Sequence, residues 1–235
     1  MLFYSDFSEY IEEEKKRLES LHSANLPEFG VVKKTLMPTS DLTYEESPGK
    51  YSITSEVDGL KIDSQGIFGE RHRAATRASG GRETKLYPKG TMIRGHRHLF
   101  AICSSDMNAI SEKMGFEITA ELLGVNLVID REDGENFSLT ELPVGSYLLI
   151  DESDKPEVSK PPGAALSCFV KQEGCGITGH VLATKFDNKK LTKRFREATK
   201  DHRGILCSVE YPVSEPFVLK RGQRVFFRYS KGLAP

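Results

Sequence analysis

The sequence predicts a mainly β, α+β fold in which a sheet bends into a barrel or a sandwich, with a few peripheral helices and an N-terminal helix. After Pro48, short apolar stretches alternate with turn signals, as in a sheet bent into a barrel or sandwich. No repeat, low-complexity tract or clear linker divides the chain. Its 235 residues are a common length for one large β-rich domain with a sizeable core.

The N-terminal part predicts a helix followed by a wrapping segment. Residues 5–22 are predicted to be helical, since Asp6 and Glu9 fit a capping box. The apolar side of this helix is thin, which indicates a surface helix packed on the domain; a homodimer contact is the alternative. The predicted organisation is an N-terminal helix and wrapping extension, 1–48, followed by a barrel domain, 49–235.

Nine stretches after Pro48 have the composition and turn signals of strands. They are 50–57, 97–103, 125–130, 137–142, 146–151, 164–171, 180–185, 205–211 and 224–229. Apolar residues at helical spacing predict two helices between them, at 105–114 and 189–199. The second helix carries a run of cations that includes Lys193. This run lies either on a solvated face or beside an anion site.

The overall composition argues against several classes of partner. The 33 basic and 34 acidic residues leave a formal net charge of −1, so no long-range field draws the chain to nucleic acid or an anionic membrane. No run approaches the roughly 18 apolar residues of a spanning helix, and the start is too acidic for a signal peptide. Four cysteines are too few for a secreted disulfide scaffold of this length. We expect a cytoplasmic protein with reduced thiols and without a nucleic-acid or membrane partner.

One cysteine has a sequence context that suits chemistry. Cys175 lies between Gly174 and Gly176, directly after an apolar strand. Its thiol is therefore predicted to be exposed, and the glycines would let a bulky ligand approach the backbone. A nearby cation, for which Lys171, His180 and Arg203 are the candidates, would lower its pKa. Cys168 is the rival thiol, but it sits within the strand and is predicted to pack.

Three further motifs carry groups that could hold an anion or a polar ligand. The turn Gly66–His72 has two glycines, able to adopt positive φ, before an acid, a cation and an imidazole. Asn126 opens a strand where a buried amide could fix a polar ligand. Arg203 follows the basic helix and could clamp a phosphate bidentately. Each motif alone is also compatible with an ordinary loop or turn.

A pair of histidines forms an alternative centre. Residues 90–98 resemble the first metal motif of cupin barrels, and strand alternation places His96 and His98 on one face, where they could bind a metal together. The glutamate that a cupin places shortly after the second histidine is missing between Phe100 and Ser105. A cupin-like metalloenzyme is one alternative function, and a non-enzymatic module whose basic helix binds an anionic partner is another.

Taken in chain order, these segments resemble the MOSC domain, the family named for its occurrence at the C-terminus of molybdenum cofactor sulfurases. The similarity covers roughly residues 50 to 230. The matching segments are Gly66–His72, Arg97–Ser104, Leu123–Leu127, Leu142–Gly145, Cys175 with Gly179, Phe195–Gly204 and Lys220–Gln223. This sequence departs from the family pattern at Glu70, which replaces an aspartate, at His98, which replaces a glutamine, and at Gly174, which replaces a proline.

The resemblance implies a distorted barrel with a cleft that ends in the cysteine. Some family members bind molybdenum cofactor there through the cysteine and reduce N-hydroxylated compounds, and others are thought to carry sulfur for metal-sulfur cluster assembly. A soft thiolate suits both roles, so Cys175 is implied as the catalytic residue and the metal ligand. A separate electron- or sulfur-donor protein is the implied partner. The residues implied to hold molybdopterin are Arg71, His72, Arg97, Asn126, Lys193 and Arg203.

Overall fold

The computed structural model arranges the chain around one β-barrel. It describes residues 28–39, 46, 53–80, 87–95, 97–131, 133, 137–151, 163–171, 175–212 and 215–228. The helix predicted at 5–22 lies outside these residues. Within them, no helix combines the length and the apolar character that crossing a bilayer requires.

The strands run through the whole described part of the chain. They are β1 (Glu28–Pro38), β2 (Thr54–Glu56), β3 (Leu60–Asp63), β4 (Gly66–Ile67), β5 (Thr76–Ala78), β6 (Met92–Arg94), β7 (Leu99–Ile102), β8 (Leu127–Asp130), β9 (Tyr147–Asp151), β10 (Ala164–Lys171), β11 (Ile205–Tyr211), β12 (Phe217–Leu219) and β13 (Arg224–Arg228). The helices are α1 (Ser104–Met114), α2 (Ala120–Leu123), α3 (Gly176–Lys185) and α4 (Leu191–Ala198), with a 3₁₀ helix at Leu139–Glu141.

Seven of these strands close into the barrel. Their order is β13-β9-β10-β11-β7-β8-β1, and β1 pairs with β13 to complete the circuit. Neighbouring strands are antiparallel except β7 and β8, which are parallel and are connected through α1 and α2. Closure leaves these strands without exposed sheet edges. The predicted mainly β, distorted barrel is confirmed.

The apolar residues divide into a barrel interior and an outer layer. On β11, Cys207 points into the interior and Leu206 points to the outer layer, as strand alternation requires. The outer layer lies between the barrel wall and the helices, and it includes Phe100, Leu123 and the fully buried Phe195. This layer supports the helices that carry the candidate site.

Two predicted strands are wrong. Residues 180–185 belong to α3, where Val181 and Leu182 are buried against neighbouring elements. A short apolar run does not by itself distinguish a strand from a buried helix segment, which explains the error. Residues 137–142 contain the 3₁₀ helix instead of a strand.

The first barrel strand lies in the predicted N-terminal extension. Residues 28–38 form β1, which pairs with β13, β8 and β2, so the barrel begins before residue 49. Lys33 and Lys34 interrupt its apolar pattern and are only partly exposed. The Lys34 ammonium lies 3.0 Å from the Glu121 carboxylate, so this charge is paired on the surface of the barrel.

Candidate functional site

Most of the predicted site residues line one cavity. Its volume is about 200 Å³. The predicted residues that line it are Arg71, His72, Arg97, Asn126, Cys175 and Arg203. Apolar side chains from the barrel wall and the helices form a further part of the lining; they are Leu99, Phe100, Leu123, Ile177 and Leu206.

Cys175 lies at the N-terminus of α3. Its backbone is extended (φ −78°, ψ 120°), the helix begins at the next residue, Gly176, and the thiol is half-buried. Burial acts to raise the pKa of Cys175. The backbone N–H and hydroxyl of Thr178, followed by the charge of Arg203, outweigh burial, so the pKa lies below its usual value. The thiol therefore has an increased thiolate fraction at neutral pH.

Arg203 is the most deeply buried cation of the cavity. It is only 1% exposed, and burial lowers its pKa to about 10 although the nearby Cys175 opposes this shift. Its Nη2 donates to the Leu123 carbonyl at 3.0 Å and to the Thr178 hydroxyl at 3.1 Å. Its Nε and Nη1 have no hydrogen-bond partner among the described residues. An unpaired buried donor costs about 1–3 kcal/mol, so these two atoms favour a ligand that accepts hydrogen bonds.

Three elements fix the guanidinium. Gly124, with a left-handed φ of 70°, ends α2, and Leu123 at the end of this helix supplies the carbonyl that Arg203 contacts. The guanidinium carbon lies 4.6 Å from the ring centroid of Phe100 and 5.4 Å from that of Phe195, at cation–π distance. In this segment the sequence indicates a ligand contact for Asn126, whereas the contact between the Leu123 carbonyl and Arg203 depends on the fold.

The predicted Gly66–His72 turn forms a carboxylate–imidazole pair at the cavity. Gly66 and Gly69 have φ values of 117° and 80°, which confirms the predicted positive φ. The Glu70 side chain is 7% exposed, and its Oε1 lies 3.1 Å from Nδ1 of His72. Burial acts to raise the pKa of Glu70, but contacts with His72 lower it below its usual value. The imidazole is thereby held against a fixed negative charge.

The Asn126 amide links two strands beside the cavity. Its Oδ1 accepts a hydrogen bond from the Phe100 N–H at 3.0 Å, and its Nδ2 donates to the Leu36 carbonyl at 3.4 Å. The residue is 7% exposed. These contacts are structural, because they join β7 to β1 where the parallel pair begins.

The rival thiol lies in the barrel interior. Cys168 and Cys207 face each other across β10 and β11 and are 2% and 0% exposed. Interaction with Cys168, together with burial, raises the pKa of Cys207 well above its usual value. Cys103 is also buried in the interior. Of the two thiols considered from the sequence, Cys175 lines the cavity and Cys168 packs.

The alternative histidine centre has one member in the described residues. His98 is 1% exposed, and its Nδ1 accepts a hydrogen bond from the Val209 N–H at 3.0 Å. A Cβ at Gly66 would lie 3.2 Å from the Cβ of His98, so the glycine permits close packing there. His96 lies outside the residues that the structure describes. Burial and the Val209 bond give His98 a structural role in the barrel wall.

Lys193 lies outside the cavity. Its side chain is 87% exposed, and its ammonium lies 3.8 Å from the Glu197 carboxylate on the same helix. It lines a separate shallow depression with other charged residues of α4 and the turn that follows. Phe195 points to Arg203 from the buried face of the helix, so Lys193 points away from it.

The comparisons with known proteins identify a bacterial relative. The YuaD protein of Bacillus subtilis (strain 168), provisionally named as a metal-sulfur cluster biosynthesis protein, is 32% identical over 165 residues, which cover 69% of this chain and 78% of YuaD. The crystal structure of YuaD matches with a TM-score of 0.66 and 26% identity, over 86% of this chain and 97% of that one. The crystal structure of YiiM from Geobacillus stearothermophilus matches with a TM-score of 0.46 and 12% identity, over 87% of this chain and 75% of that one. No protein-family model matches the chain.

Proposed function

Because the chain belongs to the family of Bacillus subtilis YuaD and folds as a MOSC-like barrel, we propose that it binds molybdenum cofactor in the Cys175 cavity. The observation that carries the proposal is a buried arginine with two unpaired donors next to a thiol whose pKa is lowered. An anionic cofactor with a thiophilic metal matches both features.

The residues present fit such a group. Cys175 supplies a soft anionic ligand for molybdenum. Arg203 supplies buried N–H donors for an anionic oxygen, and Arg71 and Arg97 add positive charge to the same cavity. Gly176 leaves open space above the backbone, because a Cβ there would meet no atom within 4 Å, and a ligand can approach the start of α3 closely.

The remaining residues orient these groups. The Thr178 hydroxyl contacts the Arg203 guanidinium, and Thr178 also favours the thiolate form of Cys175. Thr178 therefore positions the guanidinium and the thiolate relative to each other. The His72 imidazole, paired with Glu70, offers a proton donor or acceptor at the cavity. Leu99 and Phe100 on the barrel wall add apolar surface to the lining of the cavity.

The bound molybdenum would supply two-electron redox chemistry, such as reduction of an N-hydroxylated compound to the amine and water. No iron–sulfur or flavin motif is visible in the sequence, so a separate donor protein would deliver the electrons. Reduced cysteines fit the cytoplasm as the proposed location.

Cofactor analysis of single-cysteine variants tests the proposal. Protein purified from a host that makes molybdenum cofactor should contain molybdenum and pterin in about equal amounts. Cys175→Ser should lose the metal, whereas the matched control Cys168→Ser should keep it, because Cys168 lies in the barrel interior. Finding neither metal nor pterin in the wild type, or an unchanged metal content in Cys175→Ser, would refute the proposal.

Sulfur transfer is the second candidate function, and the lowered pKa of Cys175 favours it together with the name of YuaD. In this step the Cys175 thiolate attacks the terminal sulfur of a persulfide donor. A new S–S bond forms at Cys175, the S–S bond of the donor breaks, and the inner sulfur of the donor leaves as a thiolate. No net oxidation occurs, because the transferred sulfur keeps its oxidation state.

A sulfane-sulfur assay distinguishes this function from the first. After incubation with glutathione persulfide and desalting, cyanide should release about one sulfane sulfur per wild-type chain. Cys175→Ser should release none, and Cys168→Ser should behave as the wild type. Release from Cys175→Ser at the wild-type level would rule out the carrier role of this residue.

A further inference from the structure

A buried carboxylate organises a polar network that the proposed function does not use. Asp106, in the first turn of α1, is 1% exposed. Its Oδ1 accepts a hydrogen bond from the Ser138 hydroxyl at 2.6 Å. Its Oδ2 accepts from the Thr140 hydroxyl at 3.2 Å and from the Cys103 thiol at 3.1 Å. A buried carboxylate that accepts several bonds is a fixed point of the structure.

The network reaches the chain on both sides of Arg203. Thr140 Oγ1, which donates to Asp106, also accepts the backbone N–H of Gly204 at 2.8 Å. On the other side, Nδ1 of His202 lies 3.6 Å from Oδ1 of Asp106. The residue after Arg203 is therefore linked to the Asp106 carboxylate through the Thr140 hydroxyl, and the residue before it lies at ion-pair distance from the same carboxylate.

The backbone conformation at Gly204 is tightly restricted. Gly204 has a φ of 72°, and a Cβ there would lie 2.2 Å from the Ala101 carbonyl oxygen on β7. The segment thus passes directly against the barrel wall. Because the Arg203 side chain leaves the backbone between two tethered residues, the position of its guanidinium depends on these tethers.

We propose that Asp106 is a positioning residue, which acts through Thr140 and His202 to hold Arg203 in the cavity beside Cys175. The inference rests on the proposed role of this cysteine and arginine. Asp106 itself does not line the cavity. Its effect on the thiol is indirect, through the path of the chain at Arg203.

The Thr140→Val variant tests the inference, because it removes the hydroxyl bridge and nearly preserves the shape of the side chain. Without the bridge, Arg203 withdraws from the cavity and the thiolate fraction of Cys175 falls. Alkylation of Cys175 by iodoacetamide at pH 7, measured by mass spectrometry of its peptide, should slow about threefold. Thr140→Ser keeps the hydroxyl and should restore the wild-type rate.

Ser138→Ala is the matched control. It removes another hydroxyl that donates to Asp106 at 2.6 Å, but this hydroxyl has no bond to the Arg203 segment among the described contacts. A general loss of stability would appear in both variants, whereas slowed alkylation should appear in Thr140→Val alone. Hydrogen exchange of the Arg203 Nε–H, followed by NMR, should accelerate in the same variant only.

The outcomes separate this inference from the proposed function. Equal slowing in Ser138→Ala and Thr140→Val, or a wild-type rate in Thr140→Val, overturns the positioning role. If Thr140→Val does not fold, His202→Ala replaces it in the test. Alkylation of Cys175 should then slow about twofold, and a wild-type rate would overturn the positioning role of Asp106. The alkylation assay needs no cofactor, so the two tests are independent. If the wild type lacks the cofactor but alkylation is slowed in Thr140→Val, only the proposed function is refuted. If the wild type holds the cofactor but alkylation in Thr140→Val is unchanged, only this inference is refuted.

Discussion

In the part of the chain that the structure describes, two helices begin directly after a cysteine, and the pKa values of these two thiols are shifted in opposite directions. Cys103 precedes α1, and its pKa is raised to about 12, first by burial and then by the charge of Asp106. Cys175 precedes α3, and its pKa is lowered although burial opposes this. The residue at the third helical position is a carboxylate in α1 and Thr178 in α3.

The comparison shows that a helix N-terminus does not by itself activate a thiol. Both cysteines have the favourable helix dipole, but Cys103 lies 3.1 Å from a carboxylate oxygen. The pKa of Cys175 is shifted by burial, by hydrogen bonds from Thr178 and by the charge of Arg203. Among the described residues, no carboxylate contributes to this shift. Burial, the hydrogen bonds from Thr178 to Cys175 and the charges beside each thiol together decide which thiol is reactive.

The largest expected effect is an alkaline loss of stability caused by Cys103. The pKa of Cys103 in the folded protein, about 12, lies above its value in the unfolded chain. Its contribution to the free energy of unfolding is therefore fully present below the unfolded pKa and is lost as pH rises toward 12. Compared with Cys103→Ala, the wild type should lose about 1.4 kcal/mol of unfolding free energy for each pH unit above roughly 9. Urea unfolding at pH 8, 9 and 10 measures the difference.

Cys175→Ala is the control with the opposite sign. The pKa of Cys175 is lowered in the folded protein. Its contribution to the free energy of unfolding is therefore present above the unfolded pKa and is lost as pH falls through the folded pKa. The wild type should therefore gain stability relative to Cys175→Ala as pH rises toward 9. Parallel pH profiles for the wild type and both variants would contradict the assignment of the two thiols.

Removing the cation should make Cys175 less reactive. Arg203→Met keeps an apolar stem over Phe100 but removes the charge, so the pKa of Cys175 should rise and alkylation at pH 7 should slow about tenfold. Lys193→Met, on the exposed face of α4, is the matched control and should keep the wild-type rate. A folded Arg203→Met protein with an unchanged rate would show that the thiol is activated by another group.

The smallest effect concerns the pair at the cavity rim. Glu70→Gln should lower the unfolding free energy at pH 7 by less than about 1 kcal/mol, because the His72 side chain is half exposed. The pKa of Glu70 is lowered, so this difference should persist down to about pH 5 and shrink as pH falls further, through the folded pKa. Glu197→Gln, on exposed α4, should show no such difference, and equal effects of the two substitutions at pH 7 would refute the pairing.

The sequence predicted those parts of the fold that depend on local pattern. β10 and β11 have the predicted bounds, because their continuous apolar runs mark buried strands. β1 was missed, since two lysines break its pattern and only pairing with β13 reveals its place. α3 was predicted as a strand because its apolar run is short.

The candidate site divides in the same way. Cys175 and Arg203 were predicted from glycines and a charge pattern that are local in sequence. Thr178 and Asp106 were missed, because their roles depend on bonds to residues far along the chain, such as the 64-residue separation of Thr140 and Gly204. Lys193 was placed at the anion site although its neighbour Phe195 occupies the inward face of the same helix.

The most direct test of the account is a site-resolved titration of the wild-type thiols. Isotope-coded alkylation of the folded protein from pH 5 to 10, quantified for each cysteine peptide, reports the reactivity of every thiol in one experiment. Cys175 should react fastest, with an apparent pKa below that of a free cysteine, and Cys103 should stay unreactive until the protein unfolds. An apparent pKa of Cys175 at or above the free value would contradict the activation of this thiol in the cavity.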